Sequence, residues 1–337
     1  MHMKRRDFII NTSLISLGSL SLGLHANSPQ RDIHTAADMQ DYLRGLHEVG
    51  EPSVDRIVIG NPLTKISKVG TCWQPYFSTL RKAKEQEINL MIVHEPTFYA
   101  HWDLDGKDEM FVSTPSPAKE KYVEAVENKK RWIEENEMVI IRSHDVPDIL
   151  KGFGIPFALG LALGYENKDI VRSKDYYNVY QVAPDSAWNV AQNIANKLMV
   201  LNQPGVAFYG DQDRMVSTVG LGTGCICDPT QYQELNPDLV IAIDDTVRTW
   251  TQTSYAEDTG DPLVVINHGT AEEMGMRLLN QHLSQNIPDI EFIHLNQGMH
   301  LSLDSRNLRK ADKHDKTFST PGISIHFFAY MVAGKCR

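Results

Sequence analysis

Cysteine is scarce in this chain. Cys72, Cys225, Cys227 and Cys336 are the four in 337 residues. They are too few and too scattered for a disulfide framework, and at most one incidental bridge is expected. Cys225 and Cys227 form a C-x-C pair with no second pair, so a zinc ribbon is not supported. A long basic stripe is also missing ahead of the C-terminal tail, and the formal net charge is −10. Nucleic acid is therefore not an expected partner. Beyond the N-terminal segment no run is apolar enough to cross a bilayer, so the protein is not expected to be membrane-embedded. No repeat of solenoid or propeller period is visible. The glycine-rich run Gly220-Leu221-Gly222-Thr223-Gly224 has no Lys-Ser/Thr after it. That excludes a P-loop and leaves a tight turn as the reading.

The N-terminus reads as a targeting segment. Lys4, Arg5 and Arg6 precede an apolar run, Leu14–Leu24, of about the length of a signal-peptide core. A cut near Asn27 follows, and no cysteine lies beside it to carry a lipid anchor. The run is too short to stay in the membrane. Lys4-Arg5-Arg6-Asp7-Phe8-Ile9 looks like a twin-arginine export signal, which carries folded cargo. Residues 1–26 are thus expected to be removed, and the mature protein to be periplasmic or otherwise exported by a bacterium.

The rest of the chain alternates β-branched runs with helix-period stretches. Arg56–Ile59, Leu90–Val93, Met138–Ile141, Leu239–Ile243 and Leu263–Ile266 read as buried strands, with Val206–Tyr209 and Ile290–Ile293 as weaker ones. Helices are expected over about 36–47, 75–87, 117–136, 186–200 and 271–285. This alternation predicts an α/β fold with mixed or parallel sheets flanked by helices. The polar stretch near 164–180 is the expected joint between two lobes of one domain spanning 27–303. A basic extension, 304–337, follows as a solvated tail, in which Ile323–Ala329 is a candidate edge strand.

Three predicted strands end in metal-competent side chains. The first ends in Val93-His94-Glu95-Pro96, where Pro96 forces the chain out of strand geometry, so that adjacent residues can serve one site. The second ends in Arg142-Ser143-His144-Asp145-Val146-Pro147-Asp148. The third ends in Asn267-His268-Gly269-Thr270-Ala271-Glu272-Glu273. In that last segment Thr270 and Glu273 fit a capping box, which occupies Glu273 structurally and leaves His268 and Glu272 to point together. Any one of these histidines or carboxylates is as well explained by hydrogen bonding or helix capping. Three such clusters at the same end of strands, where α/β sheets bind ligands, point to a shared site. Imidazole with carboxylate suits Zn, Fe, Mn or Co and not a thiolate-selected metal.

At these residues the chain resembles the Nif-three-like family of dinuclear metal-centre proteins, some of which bear the name of a GTP cyclohydrolase type. The resemblance runs from about Arg56 to about Gly298. The family's His-His-Pro motif reads His94-Glu95-Pro96 here, with Glu95 in place of the second histidine. Its His-to-Asp spacing is matched by His144 and Asp148, and its Gly-His-x-x-x-Glu by Asn267-His268 through Glu272. Gly220–Gly224 and Pro237–Asp245 look like its glycine loop and aspartate-bearing strand. The family's N-terminal Trp-Asp-Asn motif is absent. The resemblance implies a Nif-three-like fold, a toroidal hexamer and two divalent metal ions held by His94, Glu95, Asp148, His268 and Glu272.

The expected chemistry is metal-dependent hydrolysis of a small-molecule substrate that the sequence does not name. Two ions about 3.5–4 Å apart would lower the pKa of a bridging water enough to supply hydroxide. His144 is the candidate proton shuttle or ligand orienter, or alternatively a residue that pins its loop. His101, Trp102 and Asp103 border the first motif and read as loop surface. The alternative is a non-enzymatic metal-binding scaffold in which the ions staple the fold.

Overall fold

The structure is a computed structural model that describes residues 32–297 except 106–115, 175, 223, 225–228 and 233. The expected signal segment, the C-terminal extension with its candidate edge strand, Thr223, and Cys225, Cys227 and Cys336 lie outside the described residues. The described residues from His34 onward pack as one unit.

Two sheets carry the fold. The first is five-stranded, with order β1-β4-β3-β2-β11. Its members are β1 (Arg56–Ile59), β2 (Lys68–Cys72), β3 (Leu90–Val93), β4 (Val139–Arg142) and β11 (Glu291–His294). The second is six-stranded, with order β5-β6-β8-β9-β10-β7. It contains β5 (Ile170–Lys174), β6 (Tyr177–Ser186), β7 (Ala207–Tyr209), β8 (Met215–Leu221), β9 (Leu239–Ile243) and β10 (Leu263–Ile266). The helices are α1 (Ala36–Arg44), α2 (Phe77–Glu85), α3 (Ser116–Glu135), α4 (Asp145–Ile149), α5 (Ile155–Ala162), α6 (Ala187–Leu198), α7 (Ser254–Thr259) and α8 (His268–Asn286).

Both sheets are mixed. β11, β2, β3 and β4 run parallel, and β1 closes the edge antiparallel to β4. In the second sheet β8, β9 and β10 are parallel, whereas β5, β6 and β7 pair antiparallel to their neighbours. The parallel strands are the continuous apolar runs, as burial on both faces requires. Leu90, Met91, Ile92 and Val93 are each fully buried, and Leu80, Ile133 and Ile140 pack into the same core. Val179, Ile194, Val219, Leu239, Ile241 and Val264 form the core of the second sheet.

Register decides what leaves the sheets together. Val93 pairs with Arg142, so His94 and Ser143 emerge side by side, tied by the Ser143 N–H donating to the Val93 carbonyl at 2.8 Å. Cys72 pairs with Val93, which puts Trp73 beside His94. Ile266 pairs with Ile243, which puts the 267–268 step beside Asp244 and Asp245.

Some elements differ from expectation. β2, β5, β6 and β8 carry glycine or polar residues that interrupt the apolar pattern. α5 lies in a stretch whose glycines and prolines suggest loop. Pro156 occupies its first turn, where no N–H is needed. Gly275 on α8 meets Ile155 so closely that no side chain would fit there, so glycine serves helix contact. The 164–180 stretch, expected to be a joint, holds a short 3₁₀ turn, β5 and the start of β6.

Candidate metal centre

The chain exits of β3, β4 and β10 supply the site. His94 and Glu95 follow β3 directly. Both of their N–H groups donate to the Trp73 carbonyl, at 3.0 and 2.9 Å, which bends the chain out of the strand so that adjacent side chains serve one pocket. His144 and Asp148 lie one turn apart at the start of α4. Three successive N–H groups, of His144, Asp145 and Val146, donate to the buried Asp55 carboxylate at 2.6, 2.8 and 2.8 Å. A carboxylate there satisfies the free donors of a helix start and matches its dipole.

The third segment differs from its sequence reading. α8 begins at His268, with Asn267 as N-cap, its side chain accepting from the Thr270 N–H. Thr270 lies inside the helix, so the Thr270–Glu273 capping box does not form. Glu273 instead turns to His294 Nε2 at 2.8 Å and the Gln297 N–H at 3.1 Å. The earlier start places His268 and Glu272 four residues apart on one helical face, which is what brings their side chains together.

The six predicted residues meet in one pocket. His94 Nε2 lies 3.3 Å from Glu272 Oε2 and 3.6 Å from Asp148 Oδ1. His268 Nε2 lies 3.0 Å from Glu272 Oε1 and 3.2 Å from Glu95 Oε1. Glu272 thus sets one oxygen against each imidazole. Donor atoms of His94, His144 and Asp148 lie within 4.8 Å of one another, as do those of His94, Glu95 and Glu272. The His94 and His144 rings stack with centroids 4.5 Å apart. His144 Nδ1 faces Asp145 Oδ1 at 3.0 Å and Asp148 Oδ2 at 3.6 Å.

The electrostatics suit a cation. Burial works against charge on His94, but Glu272, Asp148 and Glu95 outweigh it and push that imidazole up to about 9. Burial likewise opposes charge on His268, and Glu272, Glu95 and Asp245 push it up to about 10. The Glu272 carboxyl, which burial alone would raise, is held well below the usual carboxylate range by the two histidines.

The donor set fits a divalent ion on a direct observation. His94 Nε2 and His268 Nε2 are buried, and neither makes an aligned hydrogen bond, although carboxylate oxygens surround both. The opposite ring nitrogens are engaged. His94 Nδ1 donates to the Ser143 carbonyl at 3.3 Å, and His268 Nδ1 donates to Asp245 Oδ2 at 2.8 Å. That arrangement presents each Nε2 lone pair to the pocket, and it is the usual support for a metal-ligating histidine.

Several residues around the site were not among the site residues expected from the sequence. Trp73 donates its indole N–H to Glu272 Oε2 at 2.7 Å. Arg142 is buried, donates from Nε to the His94 carbonyl at 3.0 Å and also to the His101 carbonyl, and sits 3.8 Å from Glu95 Oε2. Asp55 and Asp245 support the backbone of one ligand segment and the ring of another. Only the strand order brings these four to the site. Asp103, expected at the loop surface, is buried and accepts the Thr97 and Phe98 N–H groups at 2.6 and 2.9 Å. His101 is exposed, its ring 6.2 Å from that of His144. Gly224 closes the pocket at φ +36°, where a Cβ would collide with Glu272 Oε1. A separate cavity of about 350 Å³, lined by Tyr232, Pro237, Tyr255 and Leu263 among others, opens at the far ends of β9 and β10 and holds none of the six residues.

Residues 56–298 match the family described as Duf34/NIF3 (NGG1p interacting factor 3). No curated protein matches the chain significantly. Among solved structures, the Staphylococcus aureus hypothetical protein SA1388 aligns with a TM-score of 0.63 at 15% identity, over 81% of this chain and 100% of its own. A Bacillus cereus protein related to NIF3 aligns with a TM-score of 0.59 at 12% identity, over 82% of this chain and 99% of its own. Reduced HcgD from Methanocaldococcus jannaschii aligns with a TM-score of 0.58 at 18% identity, over 78% and 98%. At these identities the structures share the fold with this chain.

Proposed function

This chain belongs to the Duf34/NIF3 family, and on that premise we propose that it is a dinuclear-metal-dependent hydrolase acting on a small molecule. The supporting observation is the pair of buried imidazole nitrogens, each lacking an aligned hydrogen bond and each facing a different oxygen of Glu272. His94 and Asp148, with His144 adjacent, would hold one ion. His268 and Glu95 would hold the other, and Glu272 would be shared. Zn, Fe and Mn all suit such donors, and Glu95, where a second imidazole is the family pattern, shifts the second position toward the harder Mn or Fe. Two bound ions of this kind supply Lewis acidity and lower the pKa of a coordinated water.

The protein's own part is to hold and open the site. His94 and Glu272 form its floor, with side chains 0% and 2% exposed. His268, Glu95, Asp148 and His144 form a rim at 13–19%. A rim open on one side admits a substrate, and this favours hydrolysis over a closed structural staple. The contact of His144 with Asp145 and its stacking on His94 support the reading that it would carry a proton between the pocket and solvent. A homo-oligomer, a hexamer on the family resemblance, and export directed by residues 1–26 belong to the same proposal. Folding before export would let the ions be chosen inside the cell, ahead of competition from copper and zinc.

Elemental analysis tests the reading. Two ions per chain are expected in the parent and loss of occupancy in His268→Ala and Asp148→Ala. A metal-free parent that gains no ion on titration with Zn, Fe or Mn refutes it. A panel of esters, amides, cyclic ureides and phosphoesters then separates enzyme from scaffold, and metal content equal in periplasmic protein and in protein made without residues 1–26 removes the export argument.

A further inference from the structure

We propose that Trp73 is the positioning residue of the centre: it locks Glu272 in a bridging orientation and ties the ligands at the end of β3 to those on α8. The inference rests on the dinuclear reading above and assigns this residue a role within it.

Four of the ligand candidates touch Trp73. Its carbonyl accepts the N–H groups of His94 and Glu95 at 3.0 and 2.9 Å. Its indole N–H donates to Glu272 Oε2 at 2.7 Å. Its ring packs edge-on to the His268 imidazole, centroids 5.4 Å apart. The ring also lies against Gly269, where a Cβ would stand 2.8 Å from two of its carbons. Trp73 leaves the end of β2 in the first sheet, whereas His268 and Glu272 follow β10 of the second. One residue therefore joins ligand sets from both sheets, through its carbonyl to one and its side chain to the other.

The hydrogen bond has a specific consequence. A carboxylate whose oxygens face one imidazole each still turns about its last side-chain bond. A third contact, from the indole N–H at 2.7 Å, opposes that rotation. Each oxygen has about two lone pairs, so Oε2 accepts from Trp73 on one and keeps the other toward His94. In a pocket this buried, a hydrogen bond to a carboxylate is short and strong. The six-membered ring of the indole packs against Gly269, a contact that a smaller aromatic ring would keep only in part. The N–H is what only tryptophan supplies from this position.

The experiment is Trp73→Phe, which keeps a ring and removes the donor. Zn(II) and Co(II) are titrated into metal-free parent and variant, with the visible absorption of the Co(II) form recorded and thermal unfolding measured without metal. The expected result is a 10- to 100-fold loss of affinity, the range for a lost partner of a metal ligand, together with a changed Co(II) spectrum, beside a lower metal-free Tm from the lost buried hydrogen bond. A purely structural role would lower the metal-free Tm alone and leave affinity and the Co(II) spectrum as they were. Unchanged affinity and spectrum overturn the inference. Should the variant not fold, the indole N–H resonances of the parent decide it. One of them must be protected from exchange and broadened by Co(II), and its absence overturns the role. If the parent itself takes up no metal, it is the dinuclear reading that falls.

Discussion

Replacing Glu272 with Gln should empty both metal positions at once. The substitution keeps shape and volume and removes one charge. Glu272 lies 3.3 Å from one imidazole and 3.0 Å from the other, through different oxygens. At an effective dielectric constant of about 20, unit charges at such separations attract by roughly 5 kcal/mol. Desolvation takes back part of this, and breaking one partner from a buried charge pair costs about 3–5 kcal/mol. That corresponds to a loss of about two to four orders of magnitude in affinity at each position. Calorimetric titration with Zn(II), beside elemental analysis, gives the affinity and stoichiometry. His268→Ala and Asp148→Ala provide the contrast, because each removes a ligand of one position and should weaken mainly that ion. If Glu272→Gln keeps one ion at parental affinity, Glu272 does not bridge and the two-position geometry is wrong.

Three further outcomes follow from the same contacts. His94 and His268 have pKa values raised from 6.5 to about 9 and about 10 in the folded, metal-free protein. Their contribution to its stability is therefore complete below about pH 6.5 and lost as pH rises through 9 to 10. Ions must displace those protons, so affinity should rise with pH and about two protons should be released near pH 7; calorimetry in buffers of different ionisation enthalpy counts them, and zero release contradicts the charge balance. Asp55→Asn leaves one acceptor where a carboxylate takes three backbone N–H groups, so a loss of about 2–3 kcal/mol is expected, read as a Tm fall of roughly 4–10 °C. An unchanged Tm would show that α4 holds its start without Asp55. Gly224→Ala pushes a Cβ into Glu272 and should cut metal affinity at least tenfold, while the metal-free Tm shifts by the equivalent of about 1 kcal/mol; parental affinity would show that the glycine is not needed to close the pocket.

How much of this was legible in the sequence depended on whether local pattern or strand order carried the information. β3, β4, β9 and β10 were legible because strands buried on both faces are continuous apolar runs. The histidines and carboxylates following them were legible for the same reason, since a strand end marks where a ligand side chain can stand. The start of α8 was misjudged because Thr270 and Glu273 satisfy a capping pattern, while Asn267, three residues earlier, satisfies the cap in fact. β2, β6 and β8 were hidden because glycine and polar residues break the pattern where neighbouring elements approach closely. Gly70, for instance, lies against Met91 and Ile88. Trp73, Arg142 and Asp55 had no local signature, and Asp245 entered only through the family resemblance of Pro237–Asp245. Each acts on a residue that the pairing of β2 with β3, β3 with β4, β1 with β4 or β9 with β10 brings near.

That distribution of roles bears on how folding and ion binding are linked. His94, Glu95, His144 and Asp148 stand on the first sheet's strand ends, and His268 and Glu272 on the helix that leaves the second. The first set contributes two carboxylates and the second adds Glu272 to them. Brought together, they form a pocket in which two imidazoles must take up protons or share ions with three carboxylates. Repulsion within the pocket therefore opposes closure at high pH without metal, and bound dications reverse its sign. Four residues that the strand order brings to the site support these sets: Trp73 reaches across the two sheets, whereas Asp55 lies under α4, Arg142 behind His94 and Asp245 behind His268. A centre assembled in this way costs stability when it is bare and deprotonated and returns it when it is loaded, so its metal affinity and the stability of the fold must change together when any of those four contacts is altered.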